Sequence, residues 1–369
     1  MNMSIKNRSE AAIQSSSISQ RKQSHLDVCR RGSAVQVEGE LGVGFDDLAF
    51  IHNALPEIDC NAISTQCCFL ERVIEAPLFV SCMTGGSEEG LQANRDLAVA
   101  ANRCGIPIGL GSFRVALEDE TRCKDFAMRE YAPDVPIMAN IGAVQVREGC
   151  LESIADFVRA IDANALVIHL NCGQELFQVG GDRDFRGLKE AIFRAVREVS
   201  VPIIVKETGF GIRPGLVEEL LLNGVDYIDV AGAGGTNWIL VEEGCHPESD
   251  QSGRLFHSWG VSTPVILDAL EAPSESILAS GGIRSGLDLA KSLALGAAIG
   301  GMALPFIRRA LEGGVDGATE AIQEVITTLH QVMLLTGSGS VEALRNQRLL
   351  KSRRFSDCVA QLIEAEKGR

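Results

Sequence analysis

Eight short apolar runs recur along residues 77–303, most of them ending in Gly or Asn or running into Thr, each followed by an amphipathic stretch. They are PLFVSCM (77–83), IPIGLG (106–111), PIMANIG (136–142), ALVIHLN (165–171), PIIVKE (202–207), YIDVAG (227–232), SILASG (276–281) and AAIGGMA (297–303). Their lengths suit strands, and their almost unbroken apolar character suits strands covered on both faces of a parallel sheet. Helical stripes fall between them at 91–104, 151–161, 186–199 and 214–224; the last opens on Pro214 and ends at Gly224, as helices prefer. Eight such units predict a (β/α)8 TIM barrel, a fold of about 250 residues. An open doubly wound sheet is the runner-up, but no G-x-G-x-x-G follows an early strand.

The pattern divides the chain into a polar, Ser-rich tail (1–20) read as disordered, an extension (21–76), the barrel (77–310) and C-terminal helices (311–369), the helices falling near 316–335 and 340–366. Residues 233–260 are too long for an ordinary strand–helix loop and predict an ordered lid, anchored by Trp238, Trp259, His246 and His257.

Composition narrows the function. Of 369 residues 46% are hydrophobic, enough for a large core, and the formal net charge is −15. That charge argues against sequence-independent nucleic-acid binding but permits an anionic small molecule at a local basic site. Eleven cysteines without a C-x-x-C pair argue against a disulfide framework and fit a reducing cytosol. No run reaches the roughly 18 apolar residues of a membrane span, and the N-terminus lacks the apolar core of a signal peptide.

In this fold the active site lies at the C-terminal ends of the strands. Those ends carry Thr84, Ser112, Asn140, His169 and Asn171, Lys206, Thr236, Gly281-Gly282-Ile283-Arg284 and Gly300-Gly301-Met302. GGIRSG (281–286) and GGMA (300–303) fit a phosphate cradle with Arg284 as a bidentate partner, or simple tight turns. Lys206 closes an apolar strand, so it either pairs with a carboxylate or faces the electron-rich end of a cofactor. Glu175 beside Gln174 suits Mg²⁺ better than zinc; Asp182 reads as a turn or helix cap. RKQSH (21–25) reads by itself as a solvated charge run or a binding site.

RKQSH, FDD…IHNALPEID (45–59), SCMTGG (81–86), GLGS-x-R (109–114), ANIGA (139–143), HLNCGQE (169–175), VKETGFGI (205–212), GAGGTNW (232–238) and SGGIRSGLDLAKSLALGA (280–297) together resemble type 2 isopentenyl diphosphate isomerases. The resemblance spans nearly the whole chain after residue 20. It implies a cytosolic, octameric, FMN-dependent barrel that interconverts isopentenyl and dimethylallyl diphosphate with Mg²⁺ and with flavin reduced through NADPH. Carried over by position, it implies that Cys82, Met83, Thr84, Ser112, Asn140, Lys206 and Thr236 hold the flavin ring and ribityl chain, and Gly282, Arg284, Met302 and Ala303 the FMN phosphate. It implies that Arg21, Lys22, His25, Ser112, Arg114, His169, Asn171 and Gln174 meet substrate, that Gln174 and His169 serve catalysis, with His169 and Asn171 donating to the diphosphate, and that Glu175 binds Mg²⁺.

Three positions depart from the family pattern: Phe113 replaces an amide expected to touch substrate, Gly180 replaces a carboxylate, and Arg213 replaces a Ser. Phe113 and Gly180 keep open a reading as a silent flavin- or prenyl-diphosphate-binding protein; a separate alternative is an FMN oxidoreductase of the hydroxy-acid oxidase kind, with His257 as base and Arg284 as carboxylate partner, which would leave the HLN-x-x-QE stretch without a task.

Overall fold

The structure is a computed structural model that describes residues 20–30, 38–39, 42–83, 85–246, 251–272 and 274–368. The expected tail, apart from residue 20, and Thr84 lie outside the described residues.

All eight apolar runs form parallel strands: β1 (Leu78–Val80), β2 (Ile108–Ser112), β3 (Ile137–Gly142), β4 (Ala165–Leu170), β5 (Ile203–Glu207), β6 (Tyr227–Asp229), β7 (Ile277–Ala279) and β8 (Ile299–Met302). They close in sequence order, β8 pairing with β1, into the predicted barrel. Phe79, Met138, Val167, Ile204 and Leu278 fill its interior, while a second, larger apolar layer packs the strands against the surrounding helices. Both faces of each strand are therefore buried, which is why the runs read as continuous rather than alternating.

A hairpin of Cys67–Phe69 and Arg72–Ile74 adds Phe69, Leu70 and Ile74 to the interior layer, and Phe69 meets Tyr227 of β6 edge-on at 5.3 Å. Since Tyr227 begins its strand, this hairpin plugs the N-terminal end of the barrel. The C-terminal region differs from its expected form. One long helix, Leu304–Thr336, runs from the barrel mouth with a break at Gly314, and 340–366 is interrupted: Val341–Arg345 and Arg353–Lys367 flank a strand, Leu349–Lys351, that pairs with Leu48–Phe50. Arg213 caps nothing in the cleft; it pairs with Glu366 of the last helix at 3.0 Å. All eleven cysteines are free thiols, and among the described residues no helix is long and apolar enough to cross a membrane.

Candidate active site

Strand alternation decides which side chains reach the mouth. Met138, Val167, Ile204 and Leu278 point inward; two residues further along the same face stand Asn140, His169, Lys206 and Ser280. All four line one cleft at the C-terminal end of the barrel. That cleft gathers every expected site residue except Gly282 and the undescribed Thr84.

Lys206 satisfies its buried charge within the barrel. Its Nζ lies 3.4 Å from Asp229 Oδ2, its register neighbour on β6, and donates to Glu207 O at 2.9 Å and Ser280 Oγ at 3.2 Å. The carboxylate partner is thus real, and Lys206 still forms part of the cleft wall. His169 Nδ1 lies 2.7 Å from Asn140 Oδ1, which requires the proton on Nδ1. Burial, with Lys206 and Lys22 nearby, pushes its pKa down to about 3, so the ring is neutral and Nε2 accepts. Donation from His169 to a diphosphate would require a second proton on the ring, which a bound anion would favour.

Helix Cys172–Phe177 follows β4 and carries Gln174 and Glu175. Glu175 is 6% exposed and accepts from Asn171 Nδ2 (2.9 Å), Gln178 Nε2 (3.1 Å) and the Asp182 amide (2.8 Å). One N–H of Asn171 is thus held by Glu175, and the other lies 3.5 Å from Gln174 Oε1. Asp182 is not the expected cap: its amide donates to the Glu175 side chain, while its own carboxylate faces Arg114 at 3.8 Å. Gln174 Nε2 donates to Glu242 Oε1 at 2.8 Å.

Glu242 was not apparent from the sequence. It sits on helix Trp238–Cys245, inside the expected lid, and is 1% exposed. Burial would raise its pKa, but His25 at 3.0 Å, Gln174 and the charge of Arg21 outweigh burial and hold it below the usual carboxylate value. A carboxylate buried within an apolar helix is the signal that could have found it. The other part of that expectation, Trp259, is 59% exposed, and residues 247–250 lie outside the described set.

Residues 20–30 form a helix across the mouth, so RKQSH is not a solvated run. Lys22 Nζ donates to Ser112 O at 2.6 Å and stands 5.8 Å from the Phe126 ring centre. Burial, then Arg21, Arg122 and Arg114, lowers its pKa to about 7, against the opposing pull of Glu118. Arg21 Nε is buried without a hydrogen-bond partner. Arg114, beside them, is paired with Glu118 at 3.2 Å and Asp182 at 3.8 Å.

At the opposite end, helix Leu304–Thr336 begins in the cleft with Ala303 as N-cap and no side-chain cap. Gly281, at φ +86°, packs so tightly that a Cβ would sit 2.0 Å from Gly232 O. Arg284 pairs with Glu38 through Nη2 and donates to Ile283 O at 3.0 Å; Gly282 lies against Gly234 instead of the cleft.

The departures face elsewhere. Phe113 is 1% exposed and stacks on Phe157 at 4.1 Å, one residue beyond Ser112, and is not among the residues that line the cleft. Gly180 is exposed, and a Cβ there would meet nothing within 4 Å. His257, the base an oxidase reading needs, is exposed, lies 3.0 Å from Arg254 O and is absent from the cleft lining.

The sequence profile of FMN-dependent dehydrogenases matches residues 189–351. Among solved structures the fold resembles a putative lactate oxidase of Pediococcus acidilactici (TM-score 0.63, 17% identity, 89% of this chain and 87% of that one) and a flavocytochrome b2 variant with benzoylformate (0.61, 17%, 83% and 76%). At that identity the likeness speaks for the fold alone. Curated relatives are far nearer in sequence: the isopentenyl-diphosphate delta-isomerase of Halobacterium salinarum is 41% identical over 94% of this chain and 97% of its own length, and that of Chlorobium limicola 42% over 91% and 96%. The chain therefore belongs to the isopentenyl-diphosphate delta-isomerase family, of the type built on an FMN-dehydrogenase barrel, and is an isomerase.

Proposed function

We propose that this isomerase converts isopentenyl diphosphate to dimethylallyl diphosphate with reduced FMN and Mg²⁺, without net redox change. The observation that carries the reading is one cleft with two ends suited to anions and, between them, a neutral His169 and a Lys206 held by Asp229. At one end Arg21, Lys22 and Arg114 converge, with Arg21 Nε unpaired and Lys22 short of a counter-charge. At the other, an uncapped helix N-terminus meets the glycine loops of β7 and β8.

FMN fits the second end. The free amides at the start of Leu304–Thr336 and the backbone of Gly281, Met302 and Ala303 suit a phosphate. Arg284 stands in the cleft wall beside it, with Nη2 paired to Glu38. Asn140, Lys206, Ser112, Cys82 and Met83 would flank the ring, with Thr236 beside the ribityl chain. Reduced FMN bound there supplies a ring nitrogen that can give and take a proton beside carbon. NADPH is the expected source of electrons.

Mg²⁺ also fits. A carboxylate offers about four acceptor positions, and Glu175 uses three. The fourth suffices for an ion that keeps waters and takes further oxygens from a diphosphate.

The residues of the chain then divide the work. Arg21, Lys22 and Arg114 bind and orient the diphosphate. Gln174 is an amide and a poor base; Glu242 fixes its rotamer, so it orients the double bond instead of removing a proton. Neutral His169 holds Asn140 in place and takes up a proton as negative charge approaches. A cytosolic homo-oligomer, the octamer of the resemblance, completes the proposal.

The test is direct. Purified protein should bind FMN at micromolar concentration with a shifted visible spectrum and bind FAD less well. Under anaerobic reducing conditions with Mg²⁺ it should then form dimethylallyl diphosphate. Absence of FMN binding would end this reading.

A further inference from the structure

Glu207 ends β5 and is a buried carboxylate left without a task by the roles above; it is 7% exposed. Its Oε2 accepts three successive backbone amides, Gly209 at 2.6 Å, Phe210 at 2.5 Å and Gly211 at 3.1 Å. Gly209 (φ +133°) and Gly211 (φ +91°) make that convergence sterically accessible, forming a concave nest of N–H groups. Burial pushes the carboxyl up to about 7 even though all three bonds, and Lys206, pull the other way.

The loop so gathered touches the site on two sides. On one, the Phe210 ring lies against the first turn of helix Cys172–Phe177: a Cβ on Gly173 would come within 2.8 Å of it. Gly173 immediately precedes Gln174 and Glu175. On the other, Phe210 O accepts from the Val261 amide at 3.0 Å, and a Cβ on Gly209 would lie 2.4 Å from Thr236 O. The loop thus wedges the helix bearing Gln174 against the β6 loop that leads into helix Trp238–Cys245 and Glu242. Thr208 and Gly209 themselves form part of the cleft wall.

We infer that Glu207 is a positioning residue for the isomerisation: by drawing residues 209–211 onto one carboxylate oxygen it seats Phe210 against Gly173 and so sets where Gln174 and Glu175 stand. The inference rests on the reading of this cleft as the isomerase site. Glu207 touches neither substrate nor cofactor; it acts through Phe210. Removing its oxygens leaves the buried amides of Gly209 and Phe210 to find other partners, while the Gly211 amide keeps Ala231 O at 3.2 Å, and the loop must shift to satisfy the first two. A shift of ~1 Å at a reacting group costs about 10²-fold in rate, while diphosphate binding at Arg21 and Lys22 lies on a different element and is spared.

The experiment compares wild type with Glu207→Ala, Glu207→Gln, Phe210→Ala and the Glu207→Ala/Phe210→Ala double variant, all as FMN-loaded enzyme with Mg²⁺ and isopentenyl diphosphate. FMN affinity is read separately by flavin fluorescence. Glu207→Ala is expected to lower kcat by about 10–100-fold, with KM and FMN affinity changed by less than about threefold. Glu207→Gln keeps an oxygen for the three amides and should stay within about threefold of wild type. Phe210→Ala should reproduce the kcat loss, and the double variant should be no worse than either single change, since both cut one linkage. Wild-type kcat in Glu207→Ala, intact kcat in Phe210→Ala, or parallel loss of FMN binding and kcat would each overturn the inference. If Glu207→Ala does not fold, Phe210→Ala and Glu207→Gln decide: intact kcat in the first, or a tenfold loss in the second, overturns it. A wild type inactive in this assay defeats the reading of the cleft and this inference with it; the variant results bear on the inference alone.

Discussion

Lys22 offers the sharpest quantitative prediction. Its ammonium is packed against Ser112 O under the field of Arg21, Arg122 and Arg114, with Glu118 as the opposing carboxylate, and its pKa falls to about 7. In the free enzyme it is therefore half-charged near neutrality and mostly neutral at pH 8.5. A diphosphate seated among these groups favours the charged form, so above pH 7 its binding draws in one proton. Linkage then weakens apparent affinity by up to ~tenfold per pH unit between about 7 and the higher pKa of the complex. From pH 7 to 8.5 that is up to about 16-fold, because half of the Lys22 side chains already carry the proton at pH 7. Calorimetry of inorganic pyrophosphate binding to the FMN-loaded enzyme, repeated in buffers of different ionisation enthalpy, measures both quantities. Proton uptake should rise from about half at pH 7 toward about one at pH 8.5. In Lys22→Arg, whose guanidinium stays charged throughout, the slope and this proton uptake should vanish. A pH-independent wild-type affinity, or a slope that survives in Lys22→Arg, would refute the reasoning.

Three further outcomes follow from the same geometry. His169 has a folded pKa near 3 against an ordinary value of 6.5, so the unfolded chain takes the proton first; stability present above 6.5 is lost as pH falls toward 3, by about 1.4 kcal/mol per unit at most, and urea melts of His169→Gln should show a flatter pH dependence. Glu175→Gln should raise the Mg²⁺ concentration for half-maximal rate and lower activity; an unchanged Mg²⁺ requirement moves the metal elsewhere. Phe113→Gln, which places an amide where a ring stacks on Phe157, should destabilise the fold by about 3 kcal/mol or more without raising kcat, as read by denaturant midpoints and initial rates.

The barrel was legible because each strand is buried on both sides and so announces itself as an unbroken apolar run with a polar terminus. The polar termini were legible for the same reason: nothing but a functional or paired group is tolerated there. What escaped were charges hidden within apolar segments. Asp229 lies inside YIDVAG and Glu207 inside PIIVKE, and each is satisfied by groups that only the register brings near: Lys206 and Ser280 for one, the amides of residues 209–211 for the other. Glu242 was masked by the reading of 233–260 as a single lid, whereas its first part is a helix whose inward face meets Gln174 and His25. The direction of Phe113 was not legible from residue type: next to an inward Ser112 its side chain turns outward, into the core. Roles that depend on hydrogen-bond partners, such as those of Asn171 and His169, cannot be read from residue type, because Glu175 and Asn140 claim them.

The central claim is that the cleft moves protons at carbon and returns its cofactor unchanged. One measurement addresses it: anaerobic turnover of isopentenyl diphosphate in heavy water, with Mg²⁺, catalytic FMN and a known small amount of NADPH. The account predicts many equivalents of dimethylallyl diphosphate per NADPH consumed, with solvent deuterium in both product and recovered substrate. Product limited to one equivalent per NADPH, carrying hydrogen from NADPH instead of solvent deuterium, would contradict it.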